Sequence, residues 1–292
     1  MQRPKQHVLV KLNMIEIEGC QRWRTHRSSY RPIGEPIDIN GDGYFAKVMD
    51  KNEAKDFVVK HHYSRSYVAS RLDVGLFRDS SNGGHELCGV AAFSVPMSQN
   101  VIPHWLKCIP EQGVDLGRFV LLDDVPANGE TWFLKKSFGF ILESEKTPMV
   151  DSVMATSDPL VRVNSVGEIV MPGHVGTIYQ AHNGNYLGRT TKRTKVSGFD
   201  GNIIPDRTWR KIVADKGESY AYQKVLDTGV TAKEDSETWK EFCIRAKKSL
   251  PKIRHPGNHV YAWAIGDNKR DRKETLHRIG EGHNFPKEVE VL

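Results

Sequence analysis

Short apolar runs with polar residues between them are spread along most of the chain, and helix-like stretches separate them. The strand-like runs cover residues 44–49, 72–77, 87–95, 114–122, 149–155 and 259–266. Residues 50–63, 130–143 and 236–248 repeat their apolar positions at helical spacing, and residues 177–181 predict a short helix or turn. This order predicts an α/β or α+β fold in which helices flank one mixed central sheet.

Local signals mark the ends of several elements. Asp50, followed by Glu53 three residues later, predicts the N-cap of the first helix, and Asn128 is the expected cap of the second. A turn rich in Ser, Asn and Gly at residues 79–84 predicts a hairpin between the second and third strands.

The same pattern predicts the domain organisation. Residues 1–42 form an N-terminal extension, and residues 43–292 form one folded domain. Two insertions are expected in that domain, a hairpin at about 159–172 and a helix-containing segment at about 212–256. A basic C-terminal strand and tail complete it.

Composition narrows the class of protein. The 292 residues are 38% hydrophobic and 27% charged, which is typical of a globular protein. No apolar run approaches the roughly 18 residues that a bilayer span needs, so no membrane partner is expected. The four cysteines are scattered and no secretion signal is visible, so a cytoplasmic location is expected.

The distribution of charge changes the picture more than the net charge of +6. The segment from position 245 to 287 contains eleven Lys and Arg residues but only four acidic residues, and the basic residues include Lys269 and Arg270. A second cluster holds Arg189, Lys192, Arg193 and Lys195 without an acid among them. Both clusters are candidate phosphate-binding surfaces. The alternative is an ordinary solvated face.

Several common catalytic motifs are absent from the sequence. It contains no Walker A loop, no dinucleotide-binding glycine loop, no H-E-x-x-H or C-x-x-C metal motif and no G-x-S-x-G nucleophile elbow. Nucleoside triphosphatases, nicotinamide enzymes and α/β-hydrolases are therefore disfavoured.

Polar residues at the ends of apolar runs remain as candidates for chemistry. They are His62, Tyr63, Ser64, Arg118, Asp158, His174 and Tyr179. A buried Arg or Asp is costly unless it is paired, and Arg118 and Asp158, on neighbouring predicted strands, could form an ion pair. A structural ion pair, a core histidine and a packing tyrosine are the alternatives for these positions.

These candidates lie in motifs that together resemble one family. The motifs are His-Tyr-Ser at 62–64, the strand 116–122, Glu-Thr-Trp-Phe-Leu at 130–134, Ser-Asp at 157–158 and Gly-His-Val-Gly-Thr-Ile-Tyr-Gln-Ala at 173–181. In this order they resemble the Mom family of phage DNA-modification proteins, which have a GNAT-like acyltransferase fold. The resemblance covers about residues 44–195, and the C-terminal strand and tail resemble those of the family.

The resemblance implies a function and a set of site residues. Family members add an acetamido-type group to the N6 amine of adenine in DNA, which protects phage DNA from restriction. The implied catalytic residues are His62, Tyr63, Arg118, Asp158 and Tyr179. Ser64, Trp132, His174 and the basic residues Arg189, Lys192, Arg193, Lys269 and Arg270 would bind substrate. Double-stranded DNA and a small-molecule acyl-type donor are the implied partners.

Chemical reasoning suggests a role for each catalytic candidate. The N6 amine is a weak nucleophile and needs a proton acceptor, for which Asp158 is the first choice and His62 the second. Tyr179 would give a proton to the leaving group, and Arg118 would hold the donor. The target base must leave the DNA stack, so Tyr63 and Trp132 are expected to line its pocket.

The chain also departs from the resembled pattern. Residues 123–129 stand where a GNAT phosphate loop would lie, and residues 159–172 lengthen the link between Asp158 and Gly173. The cofactor therefore stays open between acyl-coenzyme A, another activated donor and a metal ion held by His and Asp. A GNAT-like acyltransferase for a protein or small-molecule amine and a non-enzymatic DNA-binding protein are the competing hypotheses.

Overall fold

The architecture is known from a computed structural model, which describes residues 37–38, 43–80, 82–126 and 128–290. Apart from Ile37 and Asp38, the predicted extension 1–42 and its boundary fall outside or at the edge of the described residues. Gly43 is the first residue of the continuous fold.

Eleven strands and eight α-helices are described in this part of the chain. The strands are β1 (Tyr44–Val48), β2 (Ser70–Asp79), β3 (His85–Ser94), β4 (Gly113–Leu121), β5 (Ser152–Ser157), β6 (Arg162–Val163), β7 (Ile169–Met171), β8 (Asn185–Arg189), β9 (Arg193–Val196), β10 (Lys252–His255) and β11 (His259–Ala264). The helices are α1 (Lys51–His61), α2 (Val101–Leu106), α3 (Gly129–Glu143), α4 (Thr177–Ala181), α5 (Asp206–Ala214), α6 (Tyr220–Leu226), α7 (Trp239–Ser249) and α8 (Lys269–Ile279).

Seven strands form one mixed sheet in the order β1-β2-β3-β4-β5-β11-β8. All neighbours are antiparallel except β4 and β5, which run parallel. Two small antiparallel ribbons, β6–β7 and β9–β10, lie outside this sheet. The mixed sheet with flanking helices confirms the predicted fold class, and β6–β7 is the hairpin expected within residues 159–172.

The parallel strands β4 and β5 are paired over a short stretch only and then diverge. Strand β4 pairs with β5 only at Gly113–Ser152, Val114–Val153 and Asp115–Met154. Beyond Asp115 the two strands separate, while β4 stays bonded to β3 and β5 stays bonded to β11. We call the resulting gap, between residues 116–121 and 155–157, the splay.

A bulge on β4 decides which side chains face the splay. The register between β3 and β4 shifts at Gly117, so that Leu116 faces Phe93 and Arg118 faces Ala92. A Cβ on Gly117 would lie 2.5 Å from the Ser94 hydroxyl, so the close approach of the strands requires glycine here. Since the bulge reverses the alternation, Asp115 and Arg118 lie on the same face of the sheet.

Different helices pack against the two faces of the sheet. On one face, Val114 and Leu116 pack in the main core with Phe133 and Leu134 of α3. On the other face, α1 covers the end of β4 at Val120 and α2 lies against its start at Gly113. The stretch that holds Asp115 and Arg118 lies between these two helices.

A second core supports the helices between β9 and β10. It joins α5, α6 and α7 through ten buried residues: Ile204, Trp209, Ile212, Ala221, Val225, Val230, Phe242, Cys243, Ala246 and Leu250. The sequence pattern predicts only α7 of these three, because α5 and α6 have nine and seven residues and show too few turns for a clear period.

The helix ends give one confirmation and one correction. The Asp50 carboxylate accepts hydrogen bonds from the backbone N–H groups of Asn52 and Glu53, as predicted. Asn128 precedes α3, but its side chain does not cap the helix and instead exchanges two hydrogen bonds with the backbone of Ile37. The Asn128 side chain is therefore used to bind the buried residue Ile37 and not to cap α3.

The separate core around α5–α7 leads to a prediction. Phe242→Ala removes a fully buried ring and should cost about 3–5 kcal/mol locally. We expect amides of α5 and α7 to lose hydrogen-exchange protection while those of β11 keep theirs. Phe133→Ala, in the main core, is the matched control and should lower protection in the sheet. Equal loss in both regions from Phe242→Ala would show that the two cores unfold as one unit.

Candidate functional site

The end of α1 brings His62 and Tyr63 to the splay, where Tyr63 meets His174 from the segment before α4. The backbone turns from helical to extended at His62, which closes α1. The rings of His62 and Tyr63 lie 4.1 Å apart between centroids, and the Tyr63 hydroxyl lies 3.3 Å from Nε2 of His174. The predicted residues His62, Tyr63 and His174 therefore form one contiguous group.

His62 has a defined hydrogen-bonding state. Its Nδ1 accepts a hydrogen bond from the backbone N–H of Ser64, at 3.1 Å, and lies 2.8 Å from the Ser64 hydroxyl. In the neutral ring the proton therefore lies on Nε2. Burial, together with the charges of Arg118 and His174, holds the pKa of His62 well below its ordinary value. At neutral pH this ring is a hydrogen-bond donor at Nε2.

Arg118 is held by the loop that follows α1. Its Nε donates to the Ser66 carbonyl at 2.7 Å, and one terminal nitrogen donates to the Ser66 hydroxyl at 2.8 Å. The other terminal nitrogen donates to the carbonyl of Gly117. Burial lowers the pKa of Arg118, although the guanidinium remains charged.

The ion pair that Arg118 and Asp158 could have formed is not present between them in the structure. The Asp158 carboxylate instead binds Arg162 at 2.5 Å and Nε2 of His255 at 3.0 Å, and it accepts the backbone N–H of Leu160 at 3.0 Å. Arg162 lies four residues further on, in the hairpin, and reaches Asp158 where Arg118 does not. Burial would raise the pKa of Asp158, but these three donors outweigh it and lower the pKa to about 2.

Tyr179 approaches the splay from the opposite face of the sheet. It lies in α4 and packs against Tyr261 and Trp263, at 5.5 and 5.6 Å between ring centroids. Gly176, with φ of 73°, begins this helix, and a Cβ there would lie 2.7 Å from the Tyr261 ring. Burial raises the pKa of Tyr179 far above its ordinary value, so the phenol stays protonated.

These groups interact electrostatically across the splay. The charge of Arg118 acts on His62, Tyr63 and Tyr179, and Tyr63 also acts on Tyr179. Burial raises the pKa of Tyr63 to about 12. The site is thus a largely buried group of neutral proton donors around the Arg118 guanidinium, on which the charge of Arg207 also acts.

Sequence reasoning missed Asp115, which lies in the same region. It stands on β4, on the face that carries Arg118, and its charge acts on Arg118 and Tyr179. Burial raises the pKa of Asp115 to about 7, and Arg118 only partly opposes that shift. A carboxylate within the apolar run of residues 113–121, three positions before Arg118, is the signal that could have revealed it.

The remaining predicted residues lie in several places. Trp132 is on α3, with the Lys136 ammonium 5.2 Å from its ring, and it packs against the main core. Arg189 binds Glu290 and lies 3.4 Å from His259. Lys192 and Arg193 are exposed at β9, Lys269 is exposed on α8, and Arg270 on that helix pairs with Glu274. The contacts given for Trp132 and Arg270 are thus with groups outside the splay.

The sequence matches one protein family over most of its length. The Mom protein family matches residues 44–247, more than two thirds of the sequence, and this match spans every catalytic candidate. The chain belongs to the Mom protein family. Membership makes it a phage DNA-modification protein, and at that coarse level a DNA-modifying enzyme of the transferase type. A search of curated proteins finds no match.

Two kinds of feature are absent from the described residues of this Mom-family chain. Among them, no three His, Cys, Asp or Glu side chains form a group suited to a metal ion. None of their helices is both long and apolar enough to cross a membrane.

The contacts of Asp158 lead to a stability prediction. Asp158→Asn removes a buried ion pair and leaves Arg162 without its counterion, which should cost about 3–5 kcal/mol of unfolding free energy. Because the folded-state pKa is about 2, wild-type stability from this group is present above about pH 4 and is lost as pH falls toward 2. Urea unfolding at pH 7 and pH 3 tests both statements. Equal midpoints for the variant and wild type at pH 7 would contradict them.

Proposed function

We propose that this protein transfers an acetamido-type group from an activated small-molecule donor to the N6 amine of adenine in double-stranded DNA. Its membership of the Mom family supports DNA as the substrate. The observation that carries the proposal is the buried group of His62, Tyr63, Arg118 and Tyr179 at the splay. Protection of phage DNA from restriction is the proposed consequence.

Arg118 is the proposed donor-binding residue. Its three hydrogen bonds to Ser66 and Gly117 fix the guanidinium and use three of its five N–H groups. The remaining N–H groups can bind a carbonyl, carboxylate or phosphate oxygen of the donor by a charge-assisted hydrogen bond. Acyl-coenzyme A and other activated donors share that chemistry.

Tyr179 is the proposed proton donor to the leaving group. The phenol is protonated at neutral pH, so it can donate a hydrogen bond to the leaving group and release its proton as negative charge develops there. Tyr63 packs against His62 with its ring tilted by 32° and is hydrogen-bonded at its hydroxyl. Its aromatic ring is a surface on which a base turned out of the duplex can stack.

The two-stranded β9–β10 ribbon is the proposed DNA-binding element. We call Lys192, Arg193, Lys195, Lys252 and Arg254 the basic ribbon. A two-stranded β-ribbon fits the major groove of B-DNA. The ribbon is joined to the site because His255, at the end of β10, binds Asp158. Lys252 is three residues from His255, or about 10 Å along the strand, so DNA held there lies close to the splay.

The proton-donor role leads to a test in cells. Tyr179→Phe should lower the modified fraction of deoxyadenosine by about 10²-fold, since one acid–base group contributes about 10²–10⁴ in rate. Mass spectrometry of nucleosides from plasmid DNA of expressing cells measures it. Tyr186→Phe removes a phenol that binds His259 outside the splay, and it should leave modification intact.

Two results would count against this assignment. Normal modification by the Tyr179→Phe protein would remove Tyr179 from the reaction. Unmodified nucleosides from soluble wild-type protein would instead favour an acyltransferase for a protein or small-molecule amine, or a DNA-binding protein without this activity.

The basic ribbon leads to a binding test. Lys252→Glu with Arg254→Glu should weaken binding to a labelled duplex at least 10-fold at low salt and reduce the slope of log affinity against log salt by about 2. Fluorescence anisotropy at several salt concentrations measures both. Lys216→Glu with Lys224→Glu makes the same change of charge on the helical insertion and should have little effect. Equal weakening by the two pairs would contradict a specific role for the ribbon.

A further inference from the structure

We infer that Asp115, and not Asp158, accepts the proton that leaves the adenine N6 amine. This inference rests on the proposed function and assigns a further catalytic residue to the same site. Four observations support it: the place of Asp115 in the sheet, its lack of partners, the state of the other candidate groups and the chemistry of the step.

Asp115 lies at the point where the sheet opens. It is the last residue of β4 that pairs with β5, opposite Met154. The bulge at Gly117 then places Arg118 on the same face, between the start of β4, which lies against α2 at Gly113, and its end, which packs against α1 at Val120. The carboxylate is therefore at the inner end of the splay, beside the proposed donor-binding guanidinium.

Within the described part of the chain, the Asp115 side chain has no hydrogen bond or ion pair, and its Oδ1 is buried without a partner. A buried carboxylate oxygen of this kind is costly unless something binds it. The groups around it are Arg118 on its own strand, Tyr179 from α4, Ser94 from β3 and Met154 from β5. From α2, the neighbours of this strand are the apolar Ile102 and Leu106.

The other candidates are in states that do not suit a proton acceptor. Asp158 already accepts three hydrogen bonds, and its pKa of about 2 makes it a very weak base. His62 carries its proton on Nε2, because its Nδ1 accepts from Ser64. Tyr63 and Tyr179 have raised pKa values and stay protonated. Asp115, whose pKa is raised to about 7, is strong enough as a base and is substantially ionised at neutral pH.

The step balances with Asp115 in this role. A bond forms between adenine N6 and the electrophilic carbon of the activated donor, and the bond from that carbon to the leaving group breaks. The proton lost from N6 passes to the Asp115 carboxylate. The leaving group departs with the bonding electron pair and receives a proton from Tyr179. Asp158, through Arg162 and His255, is then a positioning residue.

The test compares two Asp-to-Asn variants with opposite expectations. Asp115→Asn should lower the modified fraction of deoxyadenosine in plasmid DNA about 10²-fold or more. It should also raise the thermal midpoint at pH 8 by about 2–4 °C, since a buried carboxylate with a raised pKa destabilises the folded state above that pKa. At pH 4.5, where the folded wild-type carboxyl is protonated, the gain should largely disappear.

Asp151→Asn is the matched control. Asp151 precedes β5 at the end away from the splay and binds both terminal nitrogens of Arg278. Its loss should lower the thermal midpoint and leave modification unchanged in the protein that remains folded. The two variants thus separate a carboxylate used in chemistry from one used in stability.

Each outcome is decisive. Loss of modification with a stability gain at pH 8 supports the assignment. Retained modification by the Asp115→Asn protein overturns it, and so does a fall in its thermal midpoint, which would show a structural carboxylate. If wild-type protein gives no modified nucleoside while Asp115→Asn is stabilised at pH 8, the proposed substrate fails and the unusual state of Asp115 stands.

Discussion

The short parallel pairing of β4 and β5 is the constraint on which the site depends. Only three residue pairs join these strands, and the bulge at Gly117 then turns Arg118 onto the face of Asp115. Backbone separation in the middle of a sheet lets side chains from both faces meet, so Tyr179 reaches the group formed by the α1 end and β4. A fully paired sheet would keep these side chains apart. The chemistry is therefore a consequence of where strand pairing stops.

The Asp158 contacts connect the splay to the surface that is proposed to hold DNA. Asp158 follows β5, Arg162 belongs to the hairpin and His255 ends β10, so one carboxylate joins three segments distant in sequence. Each partner would be costly to bury alone, and together they form a low-pKa cluster that resists protonation. These contacts fix the end of β10 relative to the site. They also occupy both Asp158 carboxylate oxygens, so neither oxygen is free to accept a proton from a substrate.

Six of the seven sheet strands could be predicted from the sequence because they are apolar runs, whereas β8, which mixes polar and apolar residues, was not. The Asp50 cap could be predicted because Asp50 and Glu53 form a local signal. The family motifs selected His62, Tyr63, Arg118 and Tyr179 as candidates, and the structure brings these four residues together at the splay. The partner of Asp158 could not be predicted, since it depends on how the hairpin folds back. Asp115 was missed for a related reason: its buried state arises from the splay and the bulge, which are properties of strand pairing and leave only a weak trace in the sequence.

The two carboxylates of this region illustrate how one fold assigns opposite tasks to the same functional group. Asp158 receives hydrogen bonds from a guanidinium, an imidazole and a backbone N–H, so its charged form is stabilised and its pKa falls. The Asp115 side chain is removed from water and accepts no hydrogen bond from the described residues. Its charged form is therefore destabilised and its pKa rises. Pairs of titratable groups whose surroundings move their pKa values apart are typical of acid–base sites. A carboxylate that costs the fold stability, and whose buried Oδ1 has no partner among the described residues, is best explained by a substrate that supplies the missing hydrogen bond.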